Sequence, residues 1–273
     1  MPLNVAERQG AVTEAVVSRP GRQVREVIER IHAVTLVLAA LLLLAWEMLS
    51  ARLNPYLLPP PAVVARGLVD IVASGTVWRH VEATLYRVAA GFALAVVLCL
   101  AIGLLVTWLP ALRPAVKDIN AVLNATSVFV WIVLAVIWFG LSDRAPIFTT
   151  LMITIPVVLS NIIEGIENVD RKLLEMASVY RYSHFMVFRH IIAFSVLPYL
   201  VAGMRVAFAL GLRVSVVAEI FGVSTGVGYM MNFARDTLRT DLVFVWAIIL
   251  ILIMLVIDKV IFNFLSRKVA SWS

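Results

Sequence analysis

The sequence is poor in charged residues and in cysteine. Only 15% of its 273 residues are charged and 62% are hydrophobic, whereas soluble domains average about 25% charged and about 45–50% apolar residues. A single soluble core cannot bury this excess, because the buried fraction rises only slowly with chain length. The one cysteine, Cys99, lies in an apolar run, which excludes an internal disulfide and argues against a thiolate metal site.

The sequence also lacks the motifs of nucleotide hydrolysis and of nucleophilic catalysis. No segment fits GxxxxGK[ST], the phosphate-binding pattern of many ATPases. Of the four histidines, His184 and His190 are six positions apart, a poor spacing for one metal ion on a helix face. We therefore predict no catalytic residue, metal or cofactor in this chain. The net charge of +6 comes mostly from short basic loops between apolar runs, which argues for membrane topology and against nucleic-acid binding.

Six apolar segments are long enough to cross a bilayer as helices, since hydrocarbon is spanned by roughly 20 residues. They cover residues 33–50, 81–107, 121–140, 146–166, 192–220 and 243–265. The predicted fold is an all-α integral membrane protein with a cytoplasmic segment at 1–30 and a transmembrane domain at 31–273. Thirteen of the 23 lysines and arginines fall on the same side of the membrane as the N-terminus, and six fall on the opposite side. This asymmetry predicts that both termini are cytoplasmic.

Two of the outer connections contain more than a plain loop. Four prolines within residues 55–61 end the first helix. The apolar spacing that follows predicts a short interfacial helix over 61–75. Residues 222–242 combine three glycines with a mixed apolar and charged segment. This composition predicts a re-entrant or interfacial element, with simple loop packing as the alternative.

The loop at about 167–190 is amphipathic and is predicted to face the cytoplasm. Its pattern predicts two short helices joined near Tyr182, with Ser183 as the N-cap of the second. Apolar side chains on such a loop need something to cover them. Lipid headgroups are one candidate, and the groove of a partner protein is the other.

Several stretches in a fixed order resemble the permease subunits of bacterial ABC importers of the nitrate/sulfonate/taurine type. From about residue 57 onward they read LPPPAVV, VWRHVEATLYRVAAGFAL, IWFGLSD, NVDRKLLEMA, LPYLVAGMRVAFA, VVAEIFGVSTGVGYMM and RTDLVFVWAIIL. The resemblance implies a multi-pass subunit of the bacterial inner membrane that works with a second permease chain, identical or homologous. It also implies two partner ATPase subunits that bind ATP and Mg, and an extracytoplasmic substrate-binding protein.

In this family a coupling helix after the fourth span docks in a cleft of the ATPase. The resemblance assigns this role to Glu175, Met176, Ala177, Arg181, Tyr182 and Ser183. Arg181 stands where the family has glycine, so this chain loses freedom at positive φ and gains a charge at the docking turn. Two explanations stay open. The chain is one half of a heterodimeric permease, or its ATPase has a matching altered cleft.

Charged residues inside the spans are the strongest indication of a solute pathway, because a charge in hydrocarbon normally faces a cavity or a partner. Arg213 lies deep in the fifth span and does not match the family pattern, so we expect it to face the pathway and to favour an anionic solute. An internal ion pair with Glu219 or Glu47 is the alternative. Arg205 matches a basic family position and is expected to have a structural or gating role. Weaker pathway candidates are Asn124, Thr126, Ser127, Ser215 and Glu219.

Two other functions are compatible with the sequence. A stand-alone secondary transporter should have internal repeats and broken helices near the bilayer midplane, and no clear repeat is present. A non-transporting scaffold or sensor would use the cytoplasmic loop to recruit a partner. Stimulated ATP hydrolysis by a co-purifying ATPase would distinguish an importer from both.

Overall fold

The structure is a computed structural model that describes residues 20–264, with side chains for 34–183 and 185–264. All regular elements in this part of the chain are helical. Most of the predicted N-terminal segment, at 1–19, lies outside the described residues. The chain divides into two compact units at residues 63 and 64, and each unit is described by itself.

The first unit contains helix α1, Pro20–Arg52, and the proline-rich connection that follows it. The indole Nε1 of Trp46 donates a hydrogen bond to the carbonyl oxygen of Pro59 at 3.1 Å. This bond folds the connection back along the last turns of α1. Most side chains of α1 from Val34 onward are exposed and apolar, as expected for a helix whose solvent is lipid.

Ten further helices follow. The first of them, α2, begins at the end of the first unit, and the other nine lie in the second unit. The ten helices are α2 Pro61–Ala73, α3 Thr76–Trp108, α4 Arg113–Ala125, α5 Val128–Phe139, α6 Arg144–Glu167, α7 Arg171–Val179, α8 His184–Val187, α9 Ala193–Gly222, α10 Val227–Asp236 and α11 Thr240–Ile257. One π-helical turn, Phe188–Ile192, joins α8 to α9, and another, Asp258–Phe262, follows α11. The short helix predicted after the prolines is confirmed as α2, with Pro61 at its start.

Five stretches of helix in the described chain are long and apolar enough to cross a membrane. They are Val34–Arg52, Thr76–Trp108, Arg144–Glu167, Phe185–Gly222 and Thr240–Phe262. The pair α4 and α5 supplies a sixth span if it is counted as one. The predicted class, an all-α protein with about six spans, is therefore confirmed.

The third predicted span, 121–140, was wrong in its continuity and in its start. The structure begins this span at Pro110 and bends it by 88° between α4 and α5. The backbone of Thr126 is extended (φ −73°, ψ 129°), and the Oγ of Ser127 accepts a hydrogen bond from the N–H of Phe129 at 3.4 Å. Ser127 thus caps a new helix, because its side chain accepts from an N–H group of the first turn that has no acceptor within the helix.

The core of the second unit lies where α6 packs between α3 and α9. Its buried side chains include Ala95, Cys99, Val158 and Ile162. A small residue allows α3 and α6 to approach closely, because a Cβ on Gly91 would lie only 2.8 Å from the Cβ of Thr150. Such contacts are typical of membrane helices, where dispersion between close backbones replaces the hydrophobic effect.

Candidate functional site

A buried ion pair lies where α3 and α9 approach the turn before α10. Arg87 on α3 is 2% exposed and Glu219 on α9 is 0% exposed. The Nη1 of Arg87 donates to Oε1 of Glu219 at 2.8 Å. Two charges removed from water are stable together only when further hydrogen bonds satisfy their remaining donors and acceptors. The surrounding groups meet that condition.

The guanidinium of Arg87 makes five hydrogen bonds, one for each of its N–H groups. Besides Glu219, its Nη1 donates to the carbonyl oxygen of Thr225 at 2.7 Å, and its Nη2 donates to Oγ1 of the same residue at 2.7 Å. Its Nε and Nη2 donate to Oδ1 of Asp143 at 2.9 and 2.7 Å. Asp143 lies in the connection between α5 and α6, so one side chain joins four separate parts of the fold.

The second oxygen of Glu219 ties down the start of α10. Oε2 accepts hydrogen bonds from Oγ1 of Thr84 and from the N–H of Gly228, both at 2.9 Å. The N–H of Gly226 donates to Nδ1 of His80 at 3.1 Å. The first turn of α10 is therefore fixed to both α3 and α9. We call this group the Arg87 cluster: His80, Thr84, Arg87, Asp143, Glu219, and the turn 225–228.

The sequence did not predict the Arg87 cluster. It suggested Glu219 as a pathway residue or as the partner of Arg213, and it placed Arg87 inside a span without a role. Arginine and glutamate in apolar helices were the available signal. Sequence alone gives several arginines that such a glutamate can pair with, and the fold selects Arg87.

Arg213 is exposed on α9 and has no hydrogen bond or ion pair with any residue that the structure describes. Val217 and Phe221, one and two turns further along the same stripe, are 40% and 50% exposed. The ring of Phe221 lies 6.1 Å, centroid to centroid, from Phe129 in the first turn of α5. The α9 stripe and the start of α5 thus form one surface, which we call the Arg213 face: Phe129, Val133, Arg213, Val217 and Phe221.

The other predicted pathway residues are either buried or lie at the bend between α4 and α5. Ser215 is fully buried inside the bundle. Asn124 is exposed and borders a cleft of about 380 Å³ between α4 and α6. The Oγ1 of Thr126 donates to the carbonyl oxygen of Val122, and Ser127 caps α5.

Arg205 forms a two-pronged pair with Asp258. Its Nε and Nη2 donate to the two carboxylate oxygens at 2.7 Å each. The pair joins α9 to the π-helical turn after α11. This geometry supplies a physical basis for the structural role that we expect for Arg205.

The loop after α6 folds into two short helices joined near Tyr182, as the sequence predicts. The Oδ1 of Asp170 accepts from the N–H of Lys172 at 2.8 Å and caps α7. The Oγ of Ser183 accepts from the N–H of Met186 at 3.3 Å, which confirms the predicted cap of α8. From α8 the helix runs through the π-helical turn into α9 without a loop. A force on α8 therefore has a direct helical connection to the stripe that carries Arg213.

Large apolar side chains stand exposed on this loop. We call them the docking surface: Val179, Tyr180, Tyr182, Phe185 and Met186, with exposures between 44% and 78%. On the opposite side, Ala177 is 2% exposed and packs with Val169 and Ile191. Met176 is 44% exposed, and Glu175 is exposed without a side-chain hydrogen bond inside the described chain.

Arg181 adopts a left-handed backbone with φ of 51°. The N–H of Tyr182 donates to the carbonyl oxygen of Ala177 at 2.9 Å, and the N–H of Arg181 donates to that of Ser178 at 3.1 Å. These two bonds define a Schellman motif, in which the left-handed position is normally glycine. The turn thus keeps the geometry that glycine favours and carries an arginine in its place.

Arg181→Gly is expected to stabilise the protein by about 0.5–1 kcal/mol. The substitution removes the strain of a Cβ in the left-handed conformation, and the greater entropy of glycine in the unfolded chain offsets only part of this gain. Leu238, with φ of 57° in an equivalent motif after α10, offers the matched control Leu238→Gly. Unfolding midpoints in detergent should rise by similar amounts for both variants. A fall for Arg181→Gly alone would mean that the arginine side chain itself stabilises the turn.

Together, the apolar spans, the exposed loop and the intramembrane charges define a multi-span membrane protein of the permease class. The family described as "Binding-protein-dependent transport system inner membrane component" matches residues 100–271. The chain belongs to this family, and the resemblance to ABC importer permeases is confirmed. It is a multi-pass subunit of an ABC importer.

Two curated relatives and one solved structure illustrate the similarity. The putative aliphatic sulfonates transport permease protein SsuC of Escherichia coli is 31% identical, over 84% of this chain and 87% of its own length. The riboflavin transport system permease protein RibX of Chloroflexus aurantiacus is 30% identical, over 88% and 90%. A crystal structure of an amino acid ABC transporter with histidines is similar in fold, with a TM-score of 0.55 and 18% identity, over 69% of this chain and 92% of that one.

Proposed function

We propose that this chain is one of two permease subunits of an ATP-driven importer that passes a small anionic solute to the cytoplasm. The observation that carries the anionic preference is Arg213, an exposed, unpaired cation on a membrane-spanning helix. Placing a charge against lipid near the bilayer centre is costly. Arg213 therefore belongs on a surface that meets water, solute or a partner chain. The E. coli relative named for aliphatic sulfonates supports an anion, and the riboflavin relative provides a second solute to test.

The Arg213 face is the part of the surface that we assign to the pathway between two permease chains. Beside it, Val130, Ile137 and Trp138 on α5 are 46–69% exposed. An apolar rim around a single cation suits a second permease chain, identical or homologous, that closes the pathway from the other side. Alternating access then follows when the two chains rock against each other.

The docking surface is the part that we assign to the partner ATPase. Glu175, Met176 and Ala177 precede it on α7, and Arg181, Tyr182 and Ser183 form its central turn. Apolar side chains on a short helix suit a groove of a folded partner. Because α8 continues into α9, closure of two ATPase subunits around ATP and Mg would move the helix that carries Arg213.

This assignment also sets the orientation. The docking surface faces the cytoplasm with both termini, and the Arg87 cluster lies at the extracytoplasmic end. An extracytoplasmic binding protein would deliver the solute near α10, which the Arg87 cluster holds in place. The basic residues of the loops favour the same orientation.

The direct test purifies the tagged chain with its co-purifying subunits and reconstitutes the assembly in liposomes with the cognate binding protein. We expect ATP hydrolysis to rise when the binding protein is added. We also expect ATP-dependent uptake of a labelled alkanesulfonate that excess riboflavin does not inhibit. Absence of any ATPase subunit would overturn the importer assignment and favour a scaffold. ATP-dependent uptake of riboflavin without uptake of the alkanesulfonate would overturn the anionic preference.

Arg213→Ala is expected to reduce alkanesulfonate uptake by about 10- to 100-fold, since a hydrogen bond to a charged group contributes about 1.5–3 kcal/mol. Arg213→Lys should retain part of the uptake because it keeps the charge. Neither variant should change the unfolding midpoint, because Arg213 has no partner among the described residues. Uptake by Arg213→Ala at the wild-type rate and affinity would remove the anion site from this position.

A further inference from the structure

One guanidinium connects the two helices that form the Arg213 face. Arg87 on α3 binds Glu219, six positions beyond Arg213 on α9. The same side chain binds Asp143, which follows α5 by four positions. Arg87 therefore ties the last turns of α9 to the connection that follows α5.

Apart from this tie, α5 is held mainly by a narrow aromatic face. The rings of Trp131, Trp138 and Phe139 contact Phe148 on α6, and the ring of Phe129 contacts Phe221 on α9. Within α5 only Ile132 and Ala135 are buried, and most of its large side chains are exposed. The helix ends at Phe139, and Gly140, its C-cap, has a φ of 64°. A helix held by so narrow a packed face depends more on a polar tie near its end than a fully packed helix would.

The two carboxylates around Arg87 differ in their surroundings. Glu219 is fully buried and all its hydrogen bonds lie among α3, α9 and α10. The side chain of Asp143 is 59% exposed, and both of its bonds to Arg87 use the single oxygen Oδ1. Asp143 stands at the N-cap position of α6 but makes no side-chain capping bond there. Its carboxylate is thus committed to Arg87 at the expense of its own helix.

We infer that Arg87 and Asp143 are positioning residues of the importer, which fix α5 relative to α9 and so set the width of the pathway at Arg213. Glu219 holds Arg87 on α9, and Asp143 extends that hold to α5. This inference rests on the proposed function, because the pathway between α5 and α9 is part of that proposal.

The test measures the distance between the two helices in the assembled importer. Spin labels are placed at Ile137→Cys on α5 and Val217→Cys on α9, both exposed, after Cys99→Ala removes the one native cysteine. The labelled chain is diluted with unlabelled chain so that pulsed electron paramagnetic resonance reads the distance within one copy. Asp143→Ala is compared with Asp70→Ala, an exposed aspartate on α2 without a side-chain hydrogen bond in the described chain.

We expect Asp143→Ala to broaden or shift the distance distribution, and Asp70→Ala to leave it unchanged. The apparent KM for solute-loaded binding protein should change by about 2- to 30-fold in Asp143→Ala. The unfolding midpoint should fall as well, because the buried guanidinium of Arg87 loses two hydrogen bonds. A purely structural role would move the midpoint and not the KM.

An unchanged distance distribution in Asp143→Ala would overturn the inference, and so would a changed distribution with wild-type uptake. The distance measurement does not depend on transport. If the wild-type assembly fails to import alkanesulfonate, the proposed function fails by itself, and the role of Asp143 in import fails with it. If wild type imports and Asp143→Ala matches it in both measurements, only the positioning role fails.

Discussion

Arg87→Ala is expected to lower the free energy of unfolding by about 3–5 kcal/mol, because it leaves the fully buried carboxylate of Glu219 without its counter-ion. The variant also removes all five hydrogen bonds that the Arg87 side chain donates to Asp143, Glu219 and Thr225. Unfolding in mixed micelles, titrated with a denaturing detergent, measures the change. The yield of monodisperse protein should fall in parallel.

The matched control is Arg213→Ala, which removes the same side chain from an exposed site in a membrane-spanning helix. Its effect on unfolding should stay within roughly 0.5 kcal/mol, as for substitutions away from packed or paired groups. The double variant Arg87→Met with Glu219→Leu should recover much of the stability, because it removes both buried charges at similar volume. Equal midpoints for Arg87→Ala and Arg213→Ala would contradict the assignment of the buried pair.

The spans and the cytoplasmic loop could be predicted from the sequence because their signals are local. Hydropathy over about 20 residues locates a span, and Ser183 specifies the start of α8 through a bond to a residue three positions away. The left-handed turn at Arg181 was implied by the resemblance, because the family has glycine there. In the structure, Arg181 itself adopts the left-handed conformation.

The bend between α4 and α5 could not be predicted in the same way. Sharp kinks usually follow proline, glycine or an inserted side chain, and the segment 121–139 contains neither proline nor glycine. Here an extended Thr126 and the Ser127 cap divide an apolar run that otherwise reads as one helix. The predicted span was therefore correct in composition and wrong in shape.

The Arg87 cluster was missed because its contacts are distant in sequence. Arg87 binds Asp143 and Glu219, which lie 56 and 132 positions away. Composition offers Arg213 as a partner for Glu219 that is much nearer along the chain. Only the packing of α3 against α9 decides the pairing, and it leaves Arg213 free for the surface where we place the solute.

Gly226→Ala is expected to destabilise the protein by about 2–5 kcal/mol, through backbone strain and overpacking. Gly226 has a φ of 117°, a conformation that L-residues rarely adopt. A Cβ there would contact Oε2 of Glu219 and lie 2.7 Å from Nη1 of Arg87. Gly222→Ala is the control, because the nearest atom to its Cβ would be Ala145 Cβ at an ordinary 3.6 Å. Its unfolding midpoint should stay close to wild type.

This substitution tests the geometry of the cluster separately from its charges, because Gly226→Ala leaves Arg87 and Glu219 in place. If the methyl group acts by separating these two side chains, its effect should shrink when both charges have already been removed by Arg87→Met and Glu219→Leu. Interacting sites in one network typically deviate from additivity by about 0.5–3 kcal/mol. Full additivity of the three substitutions would place the cost of Gly226→Ala in the backbone of the turn alone. A large deviation would mean that Gly226 is required because the buried pair passes directly beside its backbone.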